Sequence, residues 1–225
     1  MASLPEHLRP IPAGREKLSR EVMEEHQRTR VIEAAIVVFA EKGYPATTVD
    51  DLVNAARVGV GSFYALVGGK EECLVAAYET VIKEARAVAT AVPASEGAWG
   101  AQVAAGLRVL LQWVQGEPVK ARIALIEIQS AGPSALRLYE ETLSAVTAFL
   151  ARGREVGDLS RPLPETLERT TVNGIAWLLH RRLSTQDAAS IDSLFGELAQ
   201  LILVPYLGEE RAEREIAAGN LIPTA

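Results

Sequence analysis

The sequence predicts an all-α protein, with a small N-terminal three-helix head and a larger C-terminal helical body. Three observations carry that expectation. Apolar residues recur at helical spacing in nearly every well-patterned segment. No run combines strict apolar–polar alternation with hairpin turn signals. Glycine and proline fall between the periodic segments and punctuate them. With 225 residues, 48% hydrophobic and 23% charged, the chain can bury a substantial core and does not have a disordered composition.

Residues 1–18 contain Pro5, Pro10, Pro12 and Gly14 and read as a flexible arm; Arg9, Arg15, Lys17 and Arg20 are candidates for phosphate or minor-groove contacts, with a disordered tail as the alternative. The first helix is expected from near Ser19 to Lys42, with Ile32, Ala35, Ile36 and Phe39 as its apolar stripe. Gly43 suits the position just past its C-terminus, and Pro45 blocks continuation. Thr47 or Thr48 should cap a second helix, with Asp50 and Asp51 at its positive end. A third, short helix spans Val60 to Val67, and a fourth runs from Lys70 to about Val92. "PASEG" marks a boundary, after which helices are expected at 97–115, 118–131, 134–156, 165–184 and 188–207, with "GDLSRPLP" as a loop. The end of the chain reads as a tail holding at most a short helix. The resulting division is an arm at 1–18, a head at 19–69, a body at 70–207 and a tail at 208–225.

Composition narrows the function classes. A single cysteine, Cys73, excludes an internal disulfide and a multi-cysteine metal site and fits a reducing cytoplasm. His7, His26 and His180 form no metal-ligand spacing, and no metal or cofactor is expected. The first residues lack the apolar run of a signal peptide, and no apolar run approaches the roughly 18 residues of a membrane span, so a cytoplasmic location without membrane contact is expected. "GVGSFY" at 59–64 lacks the third glycine of a dinucleotide loop, and "GGKEE" lacks the hydroxyl residue of a phosphate loop. Cys73 has no neighbouring histidine in sequence and no Gly-x-Ser-x-Gly elbow occurs, so no enzyme is expected. The formal net charge is −6, so DNA binding would have to come from the placement of charge and from paired copies, not from its sum.

The stretch "VDDLVNAARVGVGSFYALVGGKEE", Val49 to Glu72, holds two short helices separated by a tight turn, an arrangement that suits a helix-turn-helix unit. In such a unit the last helix enters the major groove by its N-terminal residues. Gly59 would sit at its N-cap, Gly61 would let the backbone approach phosphates, and the free N–H groups there favour an anion. Val58, Phe63 and Leu66 anchor the helix, which leaves Val60, Ser62 and Tyr64 facing outward. Tyr64 and Lys70 suit phosphate contacts that fix register. Arg57 stands at the turn position; it is either a phosphate ligand or a solvated turn residue.

On these residues the segment "HQRTRVIEAAIVVFAEKGYPATTVDDLVNAARVGVGSFYALVGGKEECLVAAYE", His26 to Glu79, resembles the tetracycline-repressor-like (TetR) transcriptional regulators. Arg28, Gly43, Tyr44, Thr47, Thr48, Val49, Asp51, Gly61, Phe63, Tyr64 and Lys70 fall in register with the family pattern. The sequence departs from it at Arg57, often glycine, at Gly59, usually serine or threonine, and at Leu66–Val67, often aromatic. The resemblance adds Arg28, Thr47 and Thr48 to the DNA-contact candidates. It also implies a regulatory body that binds a small molecule and pairs two copies on a palindromic double-stranded operator. Ligand would then favour a conformer in which the fourth helix moves the two heads to the wrong separation.

For the effector pocket the candidates are Leu110, Trp113, Ile126, Tyr139, Phe149 and Trp177, with Glu127, Asn173 and His180 as polar groups; they suggest a mostly apolar ligand. Ile175, Leu178, Leu179, Ile191, Leu194, Phe195, Leu198, Leu201 and Ile202 recur at helical spacing on the last two long helices. Their spacing fits intrachain core or a homodimer interface equally, and the resemblance selects the interface. The expected function is a repressor released from DNA by ligand. The alternatives are an activator of the same family and a helical small-molecule binder without DNA recognition.

Overall fold

The computed structural model describes residues 20–91, 99–157, 162–185 and 191–219. The arm, the "PASEG" boundary and residues 158–161 of the "GDLSRPLP" loop lie outside the described residues. Helices α1 (Arg20–Lys42), α2 (Val49–Ala56), α3 (Val60–Val67) and α4 (Lys70–Ala91) open the chain. They are followed by α5 (Trp99–Gly116), α6 (Pro118–Leu125), a 3-10 turn at Glu127–Ser130, α7 (Pro133–Ala151) and α8 (Gly153–Val156). Then come α9 (Leu167–Ser184), a second 3-10 turn at Asp192–Leu194, α10 (Phe195–Leu207) and α11 (Glu209–Gly219). No strand occurs among the described residues, and none of their helices is long and apolar enough to cross a membrane.

Local chemistry sets the boundaries of the first elements. Thr48 caps α2 by accepting from the Asp51 amide at 3.2 Å, while the Asp51 carboxylate accepts from the Thr48 amide at 2.8 Å. The Lys42 ammonium 2.6 Å away and these hydrogen bonds hold the Asp51 carboxyl down at about 2. At the other end α2 stops because Arg57 adopts the left-handed conformation, φ 53°, ψ 50°. Gly68, at φ +89°, stops α3 one residue after Val67.

Packing forms two apolar clusters. One joins the inner faces of α1 to α4 (Phe39, Leu52, Phe63, Leu74, Tyr78) to Ile123, Ile128 and Tyr139 of the segments from α6 to α7. The other unites α5, α9, α10 and α11 through Leu111, Leu179, Phe195, Leu203 and Ala212. Trp113, Leu125 and Leu143 touch both clusters and form the seam.

Four expectations are corrected. The helix expected over 118–131 breaks at Ile126 (φ −120°, ψ −64°), because the residues after it are drawn into long-range hydrogen bonds described below. The helix expected over 134–156 ends at Ala151 and restarts as the single turn α8, where Gly153 lies against the Trp99 indole. Regular helix begins at Phe195, after the 3-10 turn, within the segment expected over 188–207. The supposed tail carries the 11-residue α11, which buries Ala212 and packs close to α5, where Gly100 leaves room for Leu207 and Glu215.

Candidate nucleic-acid interface

The short helix α3 is anchored from one side only. Phe63 and Val67 are buried against α1, α2 and α4, and Leu66 and Val58 are half-buried beside them. The opposite side stands in solvent: Val60 is 48% and Tyr64 50% exposed, and Gly59, Gly61 and Ser62 are exposed as well. A side chain at Gly61 would meet open space, so none of the described residues covers this end of the helix. Gly59 supplies no side-chain cap, which leaves first-turn N–H groups of α3 available to an outside acceptor. Thr48 and Arg57 are also exposed, whereas Arg28 is half-buried.

Two of the sequence candidates are turned inward. Thr47 is buried, and its hydroxyl donates to the Gly43 carbonyl at 2.8 Å, so it braces the α1–α2 turn. Lys70 donates from Nζ to the carbonyls of Tyr44 and Thr47, both at 2.9 Å, and lies 4.3 Å from the Tyr44 ring centroid. Its ammonium closes the same turn. Burial and two nearby carboxylates, Glu71 and Glu72, raise the pKa of the Tyr44 phenol, which stays neutral. Arg30 gave no pattern signal in the sequence. It is 6% exposed, and Nη2 donates to Ala56 O at 2.8 Å and Arg57 O at 3.2 Å, fixing the turn that leads into α3. Cys73 is buried, and desolvation pushes its thiol up to about 12, which removes it as a nucleophile at neutral pH.

The effector candidates separate into inner and outer groups. Leu110, Trp113, Ile126, Tyr139 and Phe149 pack on the two clusters, and Glu127 is buried at 3% exposure. His180 is half-buried, with Nδ1 3.0 Å from the Leu125 carbonyl and 3.4 Å from Gln129 Nε2. Trp177 and Asn173 are corrected: Trp177 is 60% exposed, and Asn173 is exposed and donates to Arg169 O at 2.8 Å. They share the outer face of α9, opposite the side on which Glu168, Val172, Ala176, Leu179 and Leu183 are buried. The interface candidates divide likewise. Leu179, Ile191, Leu194, Phe195, Leu198 and Ile202 are intrachain core, Ile175 and Leu178 are half-buried, and Leu201 is 54% exposed.

Residues 31–77 match the sequence model described as bacterial regulatory proteins, tetR family. No curated protein matches the chain by sequence. Among solved structures, the fatty acid degradation regulator FadR from Bacillus halodurans has a TM-score of 0.68 at 16% identity, covering 84% of this chain and 97% of that one. FadR from Bacillus subtilis, solved in complex with stearoyl-CoA, has a TM-score of 0.66 at 18% identity, covering 80% and 98%. RolR in complex with resorcinol has a TM-score of 0.60 at 21% identity, covering 91% and 98%. These likenesses extend the shared fold over both head and body. The matched segment runs from α1 through the helix-turn-helix into α4, so the likeness to the tetR family of bacterial regulatory proteins rests on the head of the chain.

Proposed function

We propose that the chain is a homodimeric DNA-binding transcriptional repressor that releases its operator when a small, mostly apolar molecule binds the body. The observation that carries the DNA half is the uncovered front of α3, where Val60, Ser62 and Tyr64 project beside two exposed glycines. Val60 and Ser62 stand where base edges would be read, and Tyr64, Arg57 and Thr48 where phosphates would be met. The ligand half is supported by the relatives solved with stearoyl-CoA and with resorcinol. In this chain the apolar seam at Trp113, Leu125 and Leu143, bordered by Leu110 and Tyr139, is the place such a molecule would enter.

A dimer is required because one head offers few cations to DNA. Its support is an unpartnered surface on α9 and α10, where Trp177 and Leu201 stand out. Leu201, Val204 and Pro205 also line a groove of about 420 Å³ edged by Gln200, Glu209 and Glu213. Two α3 helices then meet successive major-groove faces when about 34–36 Å apart, which implies a palindromic operator. Such a regulator acts in the cytoplasm, where the bacterial chromosome is.

The test is a duplex selected in vitro from random sequence by the full-length protein, followed by fluorescence anisotropy over a salt series. Binding should weaken steeply with salt. Replacing Tyr64 with Ala should weaken all sequences alike, whereas changing Val60 or Ser62 should change which sequence is preferred. No enrichment of any duplex, or salt-independent binding, would leave a helical small-molecule binder as the better description.

A further inference from the structure

The end of α1 is tied to the body by two side chains from the segment around the α6 break. Gly43, at φ +79°, reverses the chain after α1, and the next amide, Tyr44 N–H, donates to Glu127 Oε2 at 2.8 Å. The other carboxylate oxygen of Glu127 accepts from Arg122 Nη2 at 3.2 Å. Arg122 in turn donates from Nε to the Ala40 carbonyl at 3.1 Å, near the negative end of α1. A backbone acceptor and a backbone donor of the head are therefore both held by one ion pair of the body. Glu127 is 3% exposed, so parting it from Tyr44 would leave a desolvated carboxylate with one fewer partner.

This ion pair spans the point where α6 stops. The carbonyl of Leu125, the last residue of α6, lies 3.0 Å from His180 Nδ1 on α9 and accepts from Gln129 Nε2. One hydrogen-bonded path thus runs from α9, through the break, to the turn that precedes α2. Lys70 holds the same turn from α4 by donating to Tyr44 O and Thr47 O.

We propose that Glu127 and Arg122 are positioning residues that set the angle of the three-helix head on the body and carry displacements at the α6 break to α3. The structural half stands on the hydrogen bonds alone, and the consequence for DNA rests on the reading proposed above. Neither residue belongs to the surface assigned to DNA, and Glu127, a polar candidate for the effector pocket in the sequence, is committed here to the turn after α1.

The test is amide hydrogen exchange on full-length wild-type protein, Glu127→Ala, Glu127→Gln and Leu179→Ala. Leu179→Ala destabilises the second cluster and leaves the Glu127–Arg122 pair in place. Glu127→Ala should speed exchange across the end of α1 and through α2 and α3 while α10 stays as protected as in wild type. Glu127→Gln, whose side-chain oxygen can still accept from Tyr44 N–H, should keep most of that protection. On the duplex selected by the wild type, Glu127→Ala should bind about tenfold more weakly with an unchanged salt slope, because the phosphate contacts are intact and only head placement is lost. Faster exchange confined to the Tyr44 amide, or spread over the chain as in Leu179→Ala, overturns the proposal; so does equal loss in the Gln and Ala variants. Should the wild type select no duplex, the DNA reading fails while the exchange comparison still decides the link.

Discussion

The guanidinium of Arg30, deep in α1, donates to the Ala56 carbonyl across 2.8 Å and so fastens the first helix to the end of the second. Ala56 and Arg57 are the residues where α2 gives way to the turn before α3, and Arg30 reaches both carbonyls. The cation also faces the negative end of α2, where it is favoured electrostatically. Replacing Arg30 with Met keeps much of the stem's packing but leaves two carbonyls without this donor. The expected loss is about 1.5–3 kcal/mol, the range for hydrogen bonds to a charged group. Urea unfolding with an unchanged m-value would measure it; a loss under about 0.5 kcal/mol would show that solvent replaces the guanidinium freely.

Arg57 holds a left-handed backbone at φ 53° without the freedom of glycine. That conformation costs an ordinary residue about 1–2 kcal/mol, and glycine gives part of this back through a more flexible unfolded chain. Arg57→Gly should therefore raise stability by about 0.5 kcal/mol, and Arg57→Val should lower it by more than that. The two roles left open by the sequence then separate. If Arg57 meets a phosphate, the more stable glycine variant should bind DNA less tightly with a salt slope reduced by about one; if it is only a turn residue, affinity should hold.

How far such details were legible in the sequence depends on how local their causes are. The limits of α3 and the turn at Arg57 follow from a capping box, a glycine and a left-handed residue, all within a few positions of one another. The break in α6 does not, because the partners that stabilise it, Tyr44 for Glu127 and His180 for Leu125, lie 83 and 55 residues away. Arg30 was invisible for the same reason: its carbonyl partners are 26 and 27 residues downstream. On α10, Ile202 and Leu201 are neighbouring aliphatic residues, yet one is core and the other stands in solvent. Periodicity marks an apolar stripe without saying whether its own chain or another molecule covers it. Trp177 was misplaced on that ambiguity.

The body contains its own acid-sensitive tie. Glu168 is buried and accepts from Arg154 Nε at 2.7 Å and from the Tyr206 hydroxyl at 2.8 Å, while Arg154 also donates to the carbonyls of Leu163 and Pro164. The hydrogen bond from Arg154 is the main cause that lowers the Glu168 carboxyl below its ordinary 4.5. Because the folded state binds this proton less tightly than the unfolded chain, the contribution is complete above that ordinary value. It is lost as pH falls from there through the lowered folded value. Glu168→Gln should flatten the acid limb of a stability–pH curve, measured by urea unfolding at steps below pH 5. An unchanged limb would assign acid sensitivity to other carboxylates. Tyr206→Phe should cost about 1 kcal/mol at neutral pH, since Glu168 then keeps the arginine but loses a donor.

Trp177 and Leu201 give the most direct access to the proposed pairing of two copies, because each stands more than half exposed on the outer face of its helix. Arg181 lies 5.6 Å from the Trp177 ring centroid, so the indole projects beside a cation, while the groove next to Leu201 is edged by Glu209 and Glu213. An apolar contact framed by opposite charges suits a self-complementary interface between identical chains. Leu201→Glu places a third carboxylate at that groove. It should weaken self-association by about tenfold or more, read by analytical ultracentrifugation, while the helical circular dichroism of the monomer is kept, since Leu201 is not core. DNA affinity should fall in parallel, because a single head loses the second half-site. Trp177→Ala should act in the same direction without adding charge. A chain that sediments as the same species with and without both substitutions would place the contact between copies elsewhere on the body.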